Sequence, residues 1–313
     1  MECDDKGEIT LADNDKKIVK LIKETIKHSV FKASFLGKKI LSAESGNALL
    51  YQAIKNGAPY AVIRYGAVEA RCVSAWMSTK GYSDYNYKSI KEAAGFFPNT
   101  DEYMDQFADL YTNCSSKADV LAVWGVKSER KLVDRFCNKA VLVSIMSLEP
   151  YFYSNPWSYA LEGKRVLIIH PFVDSIKYQL ENHRENIFDD KNVLPKFKEV
   201  LYIKAVQSNG DATTEYATWF DALEMMKKEI DNTEFDVAII GAGAYGLPLA
   251  IHCKEQGKVA IQMAGATQIL FGIRGKRWDD REKYVKLFNS SWIRPGESET
   301  PKGKDKVEGG TYW

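Results

Sequence analysis

Residues 235–246 read FDVAIIGAGAYG, an apolar run that passes into a glycine-rich turn and then into a helical pattern. Gly241, Gly243 and Gly246 fit G-x-G-x-x-G, the spacing that lets a strand turn tightly into a helix and lets backbone approach a diphosphate. The pattern at 245–256 predicts a helix whose N-terminal N–H groups and positive dipole end face an anion. A nucleotide is the first ligand this turn suggests. The same glycines also serve a turn that only packs, because glycine is the residue that tight backbone geometry requires.

A dinucleotide fold usually carries Asp or Glu about 20 residues beyond the first glycine, where the acid holds the adenosine ribose. The next strand reads KVAIQMAG and has Gln262 at that end. The nicotinamide reading therefore lacks its acidic half.

The 313 residues, 45% of them hydrophobic, suffice for a full core. A net charge of +1 and a pI near 7.6 argue against wholesale nucleic-acid binding, which needs a basic excess. No run approaches the roughly 18 apolar residues of a membrane span, and the polar start MECDDKGEIT has no secretory core; the expected location is cytoplasmic. Five scattered cysteines, Cys3, Cys72, Cys114, Cys137 and Cys253, form no C-x-x-C pair and read as free thiols. His28, His170, His183 and His252 form no metal-binding spacing.

Short Val- and Ile-rich segments at 60–64, 120–124, 140–145, 165–170, 200–203, 236–240 and 258–262 predict strands. Helical patterns at 100–113, 128–137, 213–230 and 243–256 separate most of them, and another runs from about 44 to the Asn56-Gly57 turn. This alternation predicts an α/β fold, Rossmann-like, with a mainly parallel sheet and helices on both faces. Ligands of such sheets bind beyond the carboxyl ends of the strands. The expected organisation is an N-terminal helical extension at 1–43, a core domain at 44–294 and a polar tail at 295–313.

In the extension, residues 14–32 place Ile18, Leu21, Ile22, Ile26 and Val30 near one helical face, with lysines crowding the rest. Such a helix either packs its stripe on the core or docks on an anionic membrane surface. In the tail, 295–310 is rich in Pro, Gly and charge and reads as loop. Tyr312 and Trp313 after it either fold back over the body or follow by chance.

Three strand ends carry candidate chemistry. Arg64 to Arg71 (RYGAVEAR) places Glu69 three residues beyond Gly66, as a metal ligand, a general base or a helix cap. His170-Pro171-Phe172-Val173-Asp174 offers His170 and Asp174 as acid/base partners, or as a core histidine and a cap. No G-x-S-x-G elbow supports a serine hydrolase. At 264–278, Gln268 follows small residues, and Arg274, Lys276 and Arg277 put three cations within four positions, able to neutralise a departing diphosphate or to form an ordinary basic loop.

Arg64-Tyr65-Gly66-Ala67-Val68-Glu69 resembles the Arg-aromatic-Gly-Asp-Gly-Glu segment of the GT-D class of bacterial nucleotide-sugar glycosyltransferases. The blocks GAGAYGLP at 241–248, GATQILF at 265–271, GIRGKRW at 272–278 and GGTYW at 309–313 resemble those of uncharacterised polysaccharide-cluster proteins related to that class. The resemblance covers roughly 45–313. It implies transfer of a sugar from a nucleotide diphosphate donor to a cell-surface or lipid-linked acceptor. Arg64, Gly66, Gly241, Gly243, Tyr245, Gly246, Gln268, Arg274, Lys276 and Arg277 would then border the donor, with Glu69 as first base and Asp174 as second.

The class holds its metal and diphosphate through Asp-X-Glu; here the Glu is Glu69, but Ala67 replaces the Asp. One lost carboxylate weakens the case for Mg²⁺ or Mn²⁺, which bind through oxygen ligands. Two other readings follow: a nucleotide-dependent oxidoreductase, from the glycine turn, and a non-catalytic nucleotide-sugar binding protein of the same pathway, from Ala67.

Overall fold

A computed structural model describes residues 2–3, 9–10, 22, 25, 29–209 and 212–313. The chain divides into two compact units, Met1–Lys39 and Ile40–Trp313. In the first, Glu2–Cys3 pairs antiparallel with Ile9–Thr10. Ile22, Thr25 and residues 29–34 are helical; the rest of the lysine-rich stripe at 14–32 lies outside the described residues.

The second unit is built on eight strands: β1 (Ile40–Leu41), β2 (Tyr60–Ile63), β3 (Val120–Val123), β4 (Val141–Ser144), β5 (Arg165–His170), β6 (Glu199–Lys204), β7 (Val237–Ile240) and β8 (Val259–Gln262). They form one sheet in the order β1-β4-β3-β2-β8-β7-β5-β6, and every neighbouring pair is parallel. All seven expected strands are present within a residue or so of their expected ends. The eighth, β1, has only two residues and leaves no period-2 signature to read.

β3, β7 and β8 are buried at every position, so both faces of the sheet are covered, which is why they read as continuous rather than alternating apolar runs. Among the described residues of the second unit, the helices of eight residues or more are α1 (Ala43–Asn56), α2 (Ala67–Trp76), α3 (Asp84–Glu92), α4 (Asp101–Ser115), α5 (Glu129–Phe136), α6 (Val173–Asn182), α7 (Trp219–Asp231) and α8 (Gly246–Glu255). Ser42 caps the start of α1 and Gly57, at φ 67°, ends it, as Asn56-Gly57 predicts. α7 starts six residues later than the helical pattern at 213 suggests. Thr218 and Asp221 form a capping box there, satisfying the first N–H groups at that point and no earlier.

Residues 295–313 belong to the second unit and bury Glu299, Val307 and Trp313. Glu299 accepts hydrogen bonds from the N–H groups of Asp174 (2.8 Å) and Ser175 (3.3 Å) and from the Ser175 hydroxyl, so a residue 125 positions away caps α6. Trp313 donates its indole N–H to the Glu299 carbonyl at 2.9 Å.

Candidate functional site

The connections after β5 and β7 leave in opposite directions along the sheet, since β6 lies on one side of this pair and β8 on the other. Such a reversal opens a crevice at the carboxyl ends. A cleft of about 170 Å³ lies at these carboxyl ends, lined among others by Arg64, Trp124, His170, Gly241 to Tyr245, Ser208, Gln268, Arg277 and Tyr312.

Gly241 and Gly246 of the glycine turn have a packing reason, and Gly241 and Gly243 both line the cleft. A β-carbon on Gly241 would lie 2.5 Å from His170 Cδ2 and 2.9 Å from the Ala264 carbonyl oxygen. One on Gly246, outside the cleft, would lie 3.0 Å from Gln262 Nε2. Gly243 instead has φ 52° with open space beside it, and lines the cleft. Tyr245 also borders the cleft, but its ring is buried and stacks on Trp219 at 4.5 Å, 6° from parallel. Gln262 itself is buried at the cleft wall, accepting from the Arg64 N–H at 3.1 Å. The position where a dinucleotide fold needs an acid is a neutral amide engaged with the protein.

At the end of β2 the chain turns at Gly66 into α2. Glu69, in the first turn of that helix, folds its carboxylate back over Gly66. Burial pushes the Glu69 carboxyl up from its ordinary range, opposed by the N–H groups of Glu69 and Val68 and by the Arg64 charge. The Tyr111 hydroxyl accepts from the Gly66 N–H at 3.3 Å. Arg64 lays its guanidinium over the Trp124 ring at 4.8 Å, and Trp124 donates its indole N–H to the Tyr65 carbonyl at 2.9 Å.

Beneath Trp124 lies a carboxylate that the sequence reading does not single out. Glu129 is 1% exposed and accepts from the N–H groups of Trp124 (3.2 Å) and Gly125 (2.7 Å). Burial, the largest influence, raises its pKa to about 7 against the pull of those bonds and of Arg64. The available signal was the repeated arrangement of strand, glycine and first-turn glutamate: Gly66 with Glu69, and Gly125 with Glu129.

His170 and Asp174 are not brought together as partners. His170 lines the cleft with Nδ1 accepting from the Phe172 N–H at 2.9 Å, and burial holds its pKa down to about 3. The ring is therefore neutral near pH 7 and carries its proton on Nε2. Asp174 is exposed, outside the cleft, and pairs with Lys204 at 2.8 Å. The carboxyl end of β5 separates them: the chain turns at Pro171 and Phe172 before α6 starts.

Of the cations at 274–277, Arg277 lines the cleft. It lies over Tyr312 at 4.6 Å and pairs with Glu308, while Gln268 donates to the Tyr312 carbonyl at 2.9 Å. Arg274 stacks on Phe288 at 4.7 Å and pairs with Asp279, and Lys276 is exposed near the Gly309 carbonyl; neither lines the cleft.

Among the described residues, no three His, Cys, Asp or Glu side chains gather as a metal-holding group. With Ala67 where the resembled motif has Asp, Glu69 is the one carboxylate of that motif at the cleft, so a protein-held Mg²⁺ or Mn²⁺ would lack the motif's second oxygen ligand. The free cysteines Cys72, Cys114, Cys137 and Cys253 are all buried.

No family model and no curated protein matches the chain. One similar solved structure is described as "The highly conserved domain of unknown function 1792 has a distinct glycosyltransferase fold", at 11% identity over 87% of this chain and 96% of that one, with a TM-score of 0.47. Another is described as a new glycosyltransferase from Streptococcus sanguinis, at 10% identity over 83% and 96%, with a TM-score of 0.46.

Proposed function

We propose that this protein is a glycosyltransferase that moves a sugar from a nucleoside diphosphate donor to a cell-surface glycan or lipid-linked acceptor. The observation that carries this reading is the meeting of Arg64, Arg277 and the buried carboxyl of Glu69 on one cleft at the carboxyl ends of a parallel sheet. The motif resemblance at 64–69 and at the later glycine blocks supports it. At about 170 Å³ the cleft is smaller than the roughly 300 Å³ and more of a pocket that encloses a drug-sized ligand. It takes part of the donor, and the remainder extends over the rim.

In this reading the diphosphate lies against Gly243 and the two guanidinium groups, whose charge offsets the negative charge that grows on the leaving group as the sugar departs. An acceptor hydroxyl attacks the anomeric carbon as a base takes its proton. Glu69 is that base: its raised pKa brings its affinity for a proton closer to what the task needs. His170, neutral at Nδ1, offers an Nε2–H for hydrogen bonding rather than a charge.

Ala67 favours a second reading, a nucleotide-sugar binding protein of the same pathway that does no chemistry. A hydride-transferring enzyme is disfavoured by Gln262. A thermal-shift panel of nucleotide sugars, nucleoside diphosphates and NAD(P) separates these, because a ligand that binds only the native state raises its unfolding midpoint. Release of nucleoside diphosphate from the ligand that stabilises most then divides enzyme from binding protein.

We infer for the cell a cytoplasmic protein that touches the anionic inner face of the membrane through its lysine-rich segment at 14–32. Among the described residues no helix is long and apolar enough to cross a membrane. Pelleting with anionic but not neutral vesicles, lost when Lys16, Lys20, Lys23 and Lys27 become Gln, is the expected behaviour.

A further inference from the structure

An acidic side chain already sits on the cleft's second cation. Glu308 pairs with Arg277 and lines the same cleft, in a segment fastened along its rim. The Arg277 N–H donates to the Thr311 carbonyl at 2.9 Å, its guanidinium lies over Tyr312, and Gln268 holds the Tyr312 carbonyl.

The backbone of this segment is unusual at Glu308. Its φ is 49°, in the left-handed region, and Gly309 and Gly310 follow at 72° and 75°. Glycine enters that region freely, whereas a residue with a β-carbon does so at a cost. A third glycine would make the easier turn. What glutamate adds is a carboxylate on Arg277, and an observed strain of this kind points to a function for the side chain.

We propose that Glu308 is a specificity residue of the cleft: its carboxylate occupies the place on Arg277 that a ligand's diphosphate takes, so only a ligand able to displace it gains that cation. This rests on the reading of the cleft as a diphosphate site. A ligand without phosphates leaves the pair intact and gains nothing from it. The diphosphate exchanges one anion for another on Arg277, while the hydrogen bonds at Thr311 and Tyr312 keep the 308–312 strap in place. With side chains 28% and 48% exposed, the pair stands close to water, where an ion pair is weak enough to be exchanged.

Calorimetric titration of the full chain with inorganic pyrophosphate at low salt tests this. Glu308→Gln is expected to bind it about three- to fivefold more tightly than the parent protein, the size of effect that loss of a surface pair gives. The gain should vanish in Arg277→Ala, because Glu308 acts through Arg277. Glu308→Gly, which also relieves the backbone, should tighten binding equally and raise the unfolding midpoint. Equal or weaker binding in both Glu308 variants, with midpoints no lower than the parent's, overturns the role of Glu308 alone. A gain that persists without Arg277 overturns it too, as a general charge effect. If pyrophosphate binds none of these proteins, the diphosphate reading of the cleft falls and this inference with it.

Discussion

The carboxylate of Glu69 lies directly against Gly66, so that a β-carbon at position 66 would collide with both carboxylate oxygens. Gly66→Ala must therefore move the Glu69 carboxylate off the start of α2. The displaced atoms are the end of a flexible side chain, so the expected cost is about 1 kcal/mol, that of a lost helix cap. Denaturant midpoints measure it, and transfer should fall alongside. An alanine variant with unchanged stability and activity would place the carboxylate elsewhere in solution.

Replacing Glu69 by Gln keeps its size and removes its charge. Transfer is expected to drop on the order of 100-fold with the fold intact, as for loss of a general base. Because burial raises its pKa, the acid limb of the parent's pH-rate profile should sit above the ordinary carboxylate range and be absent from the variant. Normal turnover in Glu69→Gln would return the residue to helix capping alone.

Glu129 gives a stability test. Its proton is lost near 4.5 when exposed and near 7 in the native protein, so between those values the native state holds more protons than the unfolded one. Stability must then fall as pH rises through that window, and the loss is complete above it. Glu129→Gln does not titrate, so the difference in unfolding free energy, parent minus variant, should decline between about pH 4.5 and 7 by roughly 3 kcal/mol. A flat difference would mean that water reaches the carboxylate freely.

The sheet was legible because its strands are apolar runs buried on both faces and bounded by turn residues; β1 was not, since two residues carry no pattern. The glycine turn lies at the end of the sheet where the cleft opens, but spacing alone could not show that Gly241 and Gly246 are also packed against His170 and Gln262. Arg277 stood out as one of three neighbouring cations, yet nothing in the local sequence separated it from Arg274 and Lys276. That distinction depends on Glu308 and Tyr312, more than 30 residues later, just as the cap of α6 depends on Glu299. Contacts of this range leave no periodic trace in the segments they join.

Metal removal tests the donor set. With Ala67 at the cleft in place of the motif's Asp, chelation by EDTA should leave nucleoside diphosphate affinity within about twofold, a difference below 0.5 kcal/mol. Ala67→Asp should make binding respond to Mn²⁺. Complete loss of affinity in EDTA and its recovery with Mn²⁺ would show that the protein holds the ion through groups other than these.

Whether the cleft takes a nucleoside diphosphate donor is decided by calorimetric titration. A panel of nucleoside diphosphates, their sugar conjugates and NAD is titrated into the parent protein and into an Arg64→Ala, Arg277→Ala double variant. At least one nucleoside diphosphate is expected to bind more tightly than NAD, and the double variant is expected to lose this binding while keeping its unfolding midpoint. Binding of NAD with no response to any nucleoside diphosphate or conjugate would contradict this expectation and return the glycine turn to a dinucleotide.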